Sequence, residues 1–214
     1  MTKLTKFAWL PWSRFNLHRN PFGELTRQER AELAVVNVDH IVALLNENMK
    51  AVQFIGACGR GKTTRMLKLK MQFPDASYAY VPENPPCPAI EVGSPVLIDE
   101  AQRLSRAARH CVFASGYPLA LATHQDLSRS LRKYGYTVHT EQIGEGNSPE
   151  LVRQLLNRRI EASRLSDGPI PELSLEHAER LVRDFGSDIR SMENKLYERL
   201  QRQVDTYGEM RFVD

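Results

Sequence analysis

The chain predicts an α/β fold: a mostly parallel sheet of five strands with helices on both faces, followed by a small unit of three helices. Three observations lead there. Between 26 and 143, short apolar runs alternate with helix-forming stretches, the order that builds a parallel sheet covered on both sides. Between one such run and one such helix sits Gly56-Ala57-Cys58-Gly59-Arg60-Gly61-Lys62-Thr63, with the spacing G-x-x-x-x-G-K-[ST] of a phosphate-binding loop. Beyond Gly146 the pattern turns wholly helical.

The elements follow in order. Thr26-Arg27-Gln28-Glu29 matches a capping box, so a helix starts there. Residues 38–45 carry a helical apolar period and lead into Ala51-Val52-Gln53-Phe54-Ile55, a short apolar run of the buried-strand kind. After the loop, Met66, Leu67, Leu69 and Met71 among Arg65, Lys68 and Lys70 predict a helix. Ser77-Tyr78-Ala79-Tyr80-Val81 reads as the second strand, ended by Pro82. Pro85, Pro86 and Pro88 make 83–95 a loop. Pro95-Val96-Leu97-Ile98-Asp99-Glu100 is a third strand ending in two carboxylates, and 101–114 reads as one helix closed by Gly116 and Pro118. Leu119-Ala120-Leu121-Ala122-Thr123 is the fourth strand; Asp126 caps a helix to Tyr134, with Gly135 as its stop. Residues 136–143 alternate and include Thr137 and Val138, a fifth strand.

Ser148-Pro149-Glu150 then opens a helix, with serine as cap and proline in first position. Leu151, Val152, Leu155, Leu156 and Ile160 give it one apolar face. Asp167-Gly168-Pro169-Ile170-Pro171 ends that stretch, and two amphipathic helices follow over 174–185 and 187–204. The expected organisation is an N-terminal arm (1–25), an α/β nucleotide-binding core (26–146), a helical lid (147–205) and a tail (206–214).

No apolar run approaches the ~20 residues of a membrane span. Phe7-Ala8-Trp9-Leu10-Pro11-Trp12 is too short and proline-broken for a signal peptide. Cys58, Cys87 and Cys111 show neither metal-ligand spacing nor a disulfide framework, which predicts a reducing, cytoplasmic setting and no membrane partner. The net charge of +3 does not by itself imply nucleic acid. Its distribution says more: Lys3, Lys6, Arg14 and Arg19 stand without an acid in residues 1–23. Arg103, Arg106, Arg109, Arg129, Arg132 and Lys133 face only Asp126 between 101 and 135. Such clusters suit phosphate contacts, and equally solvated helix faces or a neighbouring subunit.

The chemistry starts at the glycine loop. Glycines let backbone N–H groups close around an anion, and the following helix adds its positive dipole end. The expected nucleotide-binding residues are Gly56, Ala57, Cys58, Gly59, Arg60, Gly61, Lys62, Thr63 and Thr64. Lys62 reaches the β- and γ-phosphates of ATP, and the Thr63 hydroxyl ligates Mg2+. In phosphate-loop ATPases an acid at a strand end holds the magnesium shell and the next acid polarises the attacking water; Asp99 suits the first role and Glu100 the second.

From about Asn20 to Gln201 the chain resembles the AAA+ ATPases, which have a P-loop NTPase core of three αβα layers. The resemblance rests on four marks in order: the glycine loop, the Asp99-Glu100 strand end, the fourth-strand ending Ala122-Thr123-His124, and Phe185-Gly186-Ser187-Asp188-Ile189-Arg190. It implies that Thr123 or His124 is sensor 1, with His124 standing where the family usually has asparagine, and that Arg190 is sensor 2. It implies hydrolysis at subunit junctions with an arginine finger. Leu131-Arg132-Lys133-Tyr134 occupies that place, so Arg132 is the first candidate and Arg129 the second, although the second arginine of the family run is replaced. The proline-rich path from Val81 to Pro95 leaves no room for the family's helix between second and third strands, which disfavours a threading unfoldase. Asn20-Pro21-Phe22-Gly23 resembles the approach to the core in AAA ATPases of transposition regulators and secretion systems, where Phe22 and its neighbours line the adenine pocket; the other reading is a turn that staples the arm down.

The expected function is thus a Mg-ATP-hydrolysing AAA+ enzyme that forms a homo-oligomer, ring or helical filament, and acts on double-stranded DNA as a transposition regulator or helicase loader does. The alternative is an ATP-dependent switch or scaffold for a protein client in signalling or phage defence. A small-molecule kinase shares the loop but is disfavoured by Asp99-Glu100 and Arg190.

Overall fold

A computed structural model describes residues 11–84, 86–144 and 146–205. The expectations placed on Lys3, Lys6, the run from Phe7 to Leu10 and the tail 206–214 lie outside the described residues. The chain divides into two compact units, 27–145 and a second made of 1–26 with 146–214.

The first unit holds a five-stranded sheet in the order β2-β3-β4-β1-β5. The strands are β1 (Lys50–Ile55), β2 (Ser77–Tyr80), β3 (Val96–Asp99), β4 (Leu119–Thr123) and β5 (Thr137–Gln142). Every pairing is parallel. Helices α1 (Arg27–Glu32) and α2 (Asp39–Leu45) precede β1, while α3 (Lys62–Gln72), α4 (Arg106–Phe113) and α5 (Ser128–Arg132) link β1 to β2, β3 to β4 and β4 to β5. The central strands are nearly continuous apolar runs because both faces are covered. Ala51, Val96, Ile98, Leu119 and Leu121 pack on one face with Val112 and Phe113 of α4 and Leu131 of α5. Val52, Phe54, Leu97, Ala120 and Ala122 pack on the other with Ile41 and Leu45 of α2 and Met66 and Leu69 of α3. Helix, sheet, helix is the three-layer core expected.

The predicted helix over 101–114 is two pieces. Glu100 adopts a left-handed conformation (φ 62°), a short 3-10 turn covers Ala101–Arg103, and Leu104 is extended (ψ 130°). Ser105 then caps α4 afresh, its Oγ accepting from the Ala108 N–H at 3.1 Å. A serine acceptor offered to a new helix competes with continuation of the old one.

The second unit contains α6 (Pro149–Glu161), α7 (Leu175–Phe185) and α8 (Ile189–Asp205). Ser148 and Ser174 cap α6 and α7. Val152, Leu156, Ala178, Leu181 and Met192 form its core, with Phe22 packed against it. Arg159 sits on the buried side of α6 at 5% exposure. Its guanidinium donates to the carbonyls of Pro21 (2.9 Å) and Gly23 and pairs with Glu193. Removing one partner of a buried ion pair costs several kcal/mol. Arg159→Met is therefore expected to destabilise this unit by about 3 kcal/mol, read by denaturant unfolding; unchanged stability would show that the three bonds contribute nothing net.

Candidate functional site

At the carboxyl edge of the sheet, the ends of β1, β4 and β3 lie side by side. The parallel register pairs Ile55 with Thr123 and Asp99 with Ala122, so the glycine loop after β1, the His124 turn after β4 and the acids ending β3 open at one rim. Ligands of open α/β sheets bind at that rim.

The loop needs its glycines for two separate reasons. Gly61 caps α3 with φ 88°, in the left-handed region. At Gly56 a Cβ would overlap the Ile143 carbonyl oxygen, so the backbone can pass the end of β5 only without a side chain. Lys62, 4% exposed, folds back over the loop and donates to the carbonyls of Gly56 (2.7 Å) and Ala57 (2.9 Å). Its ammonium is thus held at the mouth of the loop.

Thr63 Oγ1 donates to Asp99 Oδ2 at 2.7 Å. The Asp99 carboxylate is fully buried, and a buried charge needs hydrogen-bonding partners. It takes the Tyr78 hydroxyl on Oδ2 (3.1 Å) and the Glu100 N–H on Oδ1 (3.1 Å). Burial first, then the negative charge of Asp99, push the Tyr78 phenol well above its ordinary range, so it stays a proton donor. A hydroxyl and a carboxylate in contact are hard oxygen donors of the kind that hold Mg2+. These residues fit the metal expected from the sequence.

Glu100 is held by the fold, its side chain 12% exposed. Its Oε2 accepts from Gln102 Nε2 (2.7 Å) and lies 3.3 Å from Arg103 Nη2 and 3.4 Å from His124 Nε2. Gln102 also takes the His124 N–H on its Oε1 (3.2 Å), tying the end of β4 to the acid. Cys58 Sγ stands 3.8 Å from His124 Nε2. Thr123 is turned away into its own chain: its Oγ1 donates to the Gln125 carbonyl and accepts the Gln125 N–H. Of the two sensor candidates, the His124 ring is the one beside Glu100.

The fold resembles that of RuvB. Thermotoga maritima RuvB, described as a Holliday junction branch migration motor, aligns with a TM-score of 0.53 at 16% identity, covering 86% of this chain and 63% of its own. A RuvB mutant from the same organism aligns with a TM-score of 0.53 at 15% identity, covering 86% and 64%. The chain thus spans less than two thirds of the RuvB chains it matches. No protein-family model matches the chain, and no curated protein sequence does.

Arg129 and Arg132 are exposed on α5. A buried glutamine in β1 anchors that helix: Gln53 accepts the Leu127 N–H (2.9 Å) and its amide nitrogen lies within 2.8 Å of Asp126, Ser128 and Thr140. Bonds from Ser128, side chain and backbone, and from Gln53 hold the Asp126 carboxyl down at about 2. Asp126 is not the cap expected: Leu127 holds that position, α5 ends at Arg132 rather than Tyr134, and Asp126 Oδ1 accepts the Ser128 N–H (2.8 Å) from one residue before the cap. Two arginines of the 101–135 cluster are engaged locally: Arg103 beside Glu100 and Arg109 on the Gln102 carbonyl (3.1 Å). Arg106, Arg129, Arg132 and Lys133 remain exposed.

Asn20, Pro21, Phe22 and Arg190 belong to the other unit. There Asn20 and Pro21 are buried; Asn20 accepts the Phe22 N–H and donates to the Tyr197 carbonyl (3.2 Å). Arg190 is exposed near the start of α8, behind Asp188, which accepts from the Ser191 N–H at 3.2 Å. The sequence reading missed Tyr78, Gln102, Gln53 and Arg159. Only Gln53 carried a signal, as a polar residue inside an otherwise apolar strand.

Proposed function

We propose that this chain is an AAA+ ATPase that binds and hydrolyses Mg-ATP and assembles in an ATP-dependent way to act on double-stranded DNA. One observation supports this above the rest: the loop hydroxyl of Thr63 meets the strand-end carboxylate of Asp99 at 2.7 Å, with Lys62 at the loop mouth. Bound Mg2+ would neutralise phosphate charge there, which is most of what phosphoryl transfer asks of a protein. The residues do the rest. Gly56 to Thr64 present N–H groups to the phosphates, and Glu100 accepts a proton from the attacking water. His124, rather than Thr123, carries the sensor 1 role beside it. Arg190 is assigned sensor 2 and Asn20, Pro21 and Phe22 the adenine side, both by resemblance. Arg132 serves the neighbour's site, with Arg129 as second choice.

The DNA reading draws on the exposed Arg106, Arg129, Arg132 and Lys133 and on the branch-migration role of the RuvB neighbour. It fits a small loader or transposition regulator acting in the cytoplasm. Binding to a double-stranded oligonucleotide is expected only with ATP or a slow analogue, and is expected to fall steeply as salt rises. Retention indifferent to both would overturn the DNA assignment and leave the protein-client switch. Arg132→Ala is expected to lose about 99.9% of turnover or more, since arginine fingers contribute about a thousandfold or more. Mixing it with Lys62→Ala protein restores part, because each supplies the half-site the other lacks. No recovery, with normal assembly, moves the finger elsewhere.

A further inference from the structure

We propose that His40, His139 and Glu141 form a binding site for a divalent transition-metal ion, with Zn2+ as the best-matched case. The site is separate from the nucleotide chemistry and does not depend on it. It arises from the register of the edge strand. His139 and Glu141 stand two apart on β5 and so point to one face. Their register partners on β1 are Val52 and Phe54, which pack with α2 and α3. β5 ends the sheet, and the first turn of α2 supplies His40 to the same face.

The three donor atoms lie within 4.8 Å of one another. Glu141 Oε1 is 2.6 Å from His40 Nε2 and 3.6 Å from His139 Nε2. The imidazoles meet edge-on, with centroids 6.3 Å apart. Two imidazole nitrogens and one carboxylate oxygen are a zinc ligand set with an open fourth position. Tetrahedral bonds of ~2.0–2.1 Å put donors about 3.4 Å apart. His139 already meets that spacing to Glu141, and the His40–Glu141 pair opens by under about 1 Å. Both imidazoles are about half exposed, so their rotation meets no packed core. Arg65 of α3 lies in the field of Glu141; burial lowers its pKa and the nearby carboxylate works against that. Among the described residues no other group of three such donors comes together. An ion here staples α2 to the open edge of the sheet.

The test uses the full untagged chain without nucleotide. Equilibrium dialysis against Zn2+ is expected to give one bound ion per chain, and Co2+ in its place the visible bands of four-coordinate cobalt. Zn2+ also raises the melting temperature, because it binds the folded state alone. His139→Ala and His40→Ala each weaken binding at least about a hundredfold and lose the melting shift, whereas Lys62→Ala keeps both. Glu141→Gln, which keeps the shape, separates lost ligation from lost folding: it melts as the parent does without metal and fails to respond to Zn2+. Failure to bind Zn2+ stoichiometrically overturns the proposal. So does zinc that survives both histidine variants, or that is lost instead from Cys58→Ser, which would place it beside His124.

Discussion

Lys62→Ala is expected to abolish nucleotide binding. Its ammonium is the one lysine charge held at the loop mouth among the described residues, kept there by the carbonyls of Gly56 and Ala57. A bound triphosphate offers charged acceptors in their place. Charge-assisted bonds contribute about 1.5–3 kcal/mol each, so losing two costs ~3 kcal/mol at the least, about a hundredfold in Kd. The loss is expected in a direct binding titration with a fluorescent ATP analogue. The variant also leaves two loop carbonyls without this donor, so a thermal melt accompanies the titration. A variant that folds normally and binds ATP as the parent does would remove the phosphate assignment altogether.

Glu100→Gln separates binding from chemistry. The amide keeps the size and the contact with Gln102 but cannot take a proton. A positioned general base contributes about a hundredfold to ten-thousandfold, and turnover is expected to fall in that range while ATP affinity holds. Filter retention then shows ATP, not ADP, on the protein. Hydrolysis at the parental rate would mean that another group polarises the water. The local geometry gives the test its edge. Glu100 sits in a left-handed conformation, sparsely populated for a residue with a side chain, and such strain clusters at functional sites. His124, Arg103 and Gln102 all converge on its carboxylate.

Strands β1, β3 and β4 were legible as short, mainly apolar runs, whereas the mostly polar β5 was read from its alternation. Leu119–Thr123 shows the effect most plainly: five buried residues with a break on each side. The 101–114 stretch misled because its composition suits a helix throughout, while the left-handed Glu100 and the Ser105 cap split it. Thr123 and His124 could not be ranked from their order in the chain, since both are polar residues at a strand end. What separates them is a two-residue hydrogen-bonded turn that consumes the threonine hydroxyl.

Residue order alone determined the alternation of strand and helix, the glycine loop and the carboxylate pair, because periodicity, turn chemistry and motif spacing are local properties. Tertiary structure alone decided which side chains meet across the sheet. Tyr78 reaches Asp99 only because β2 pairs with β3. Gln53 locks α5 from the strand beside it, and His40 comes to Glu141 from a hundred residues away. Such contacts follow from strand order and register, set by the burial of both sheet faces at once, and no stretch of the chain holds that information by itself.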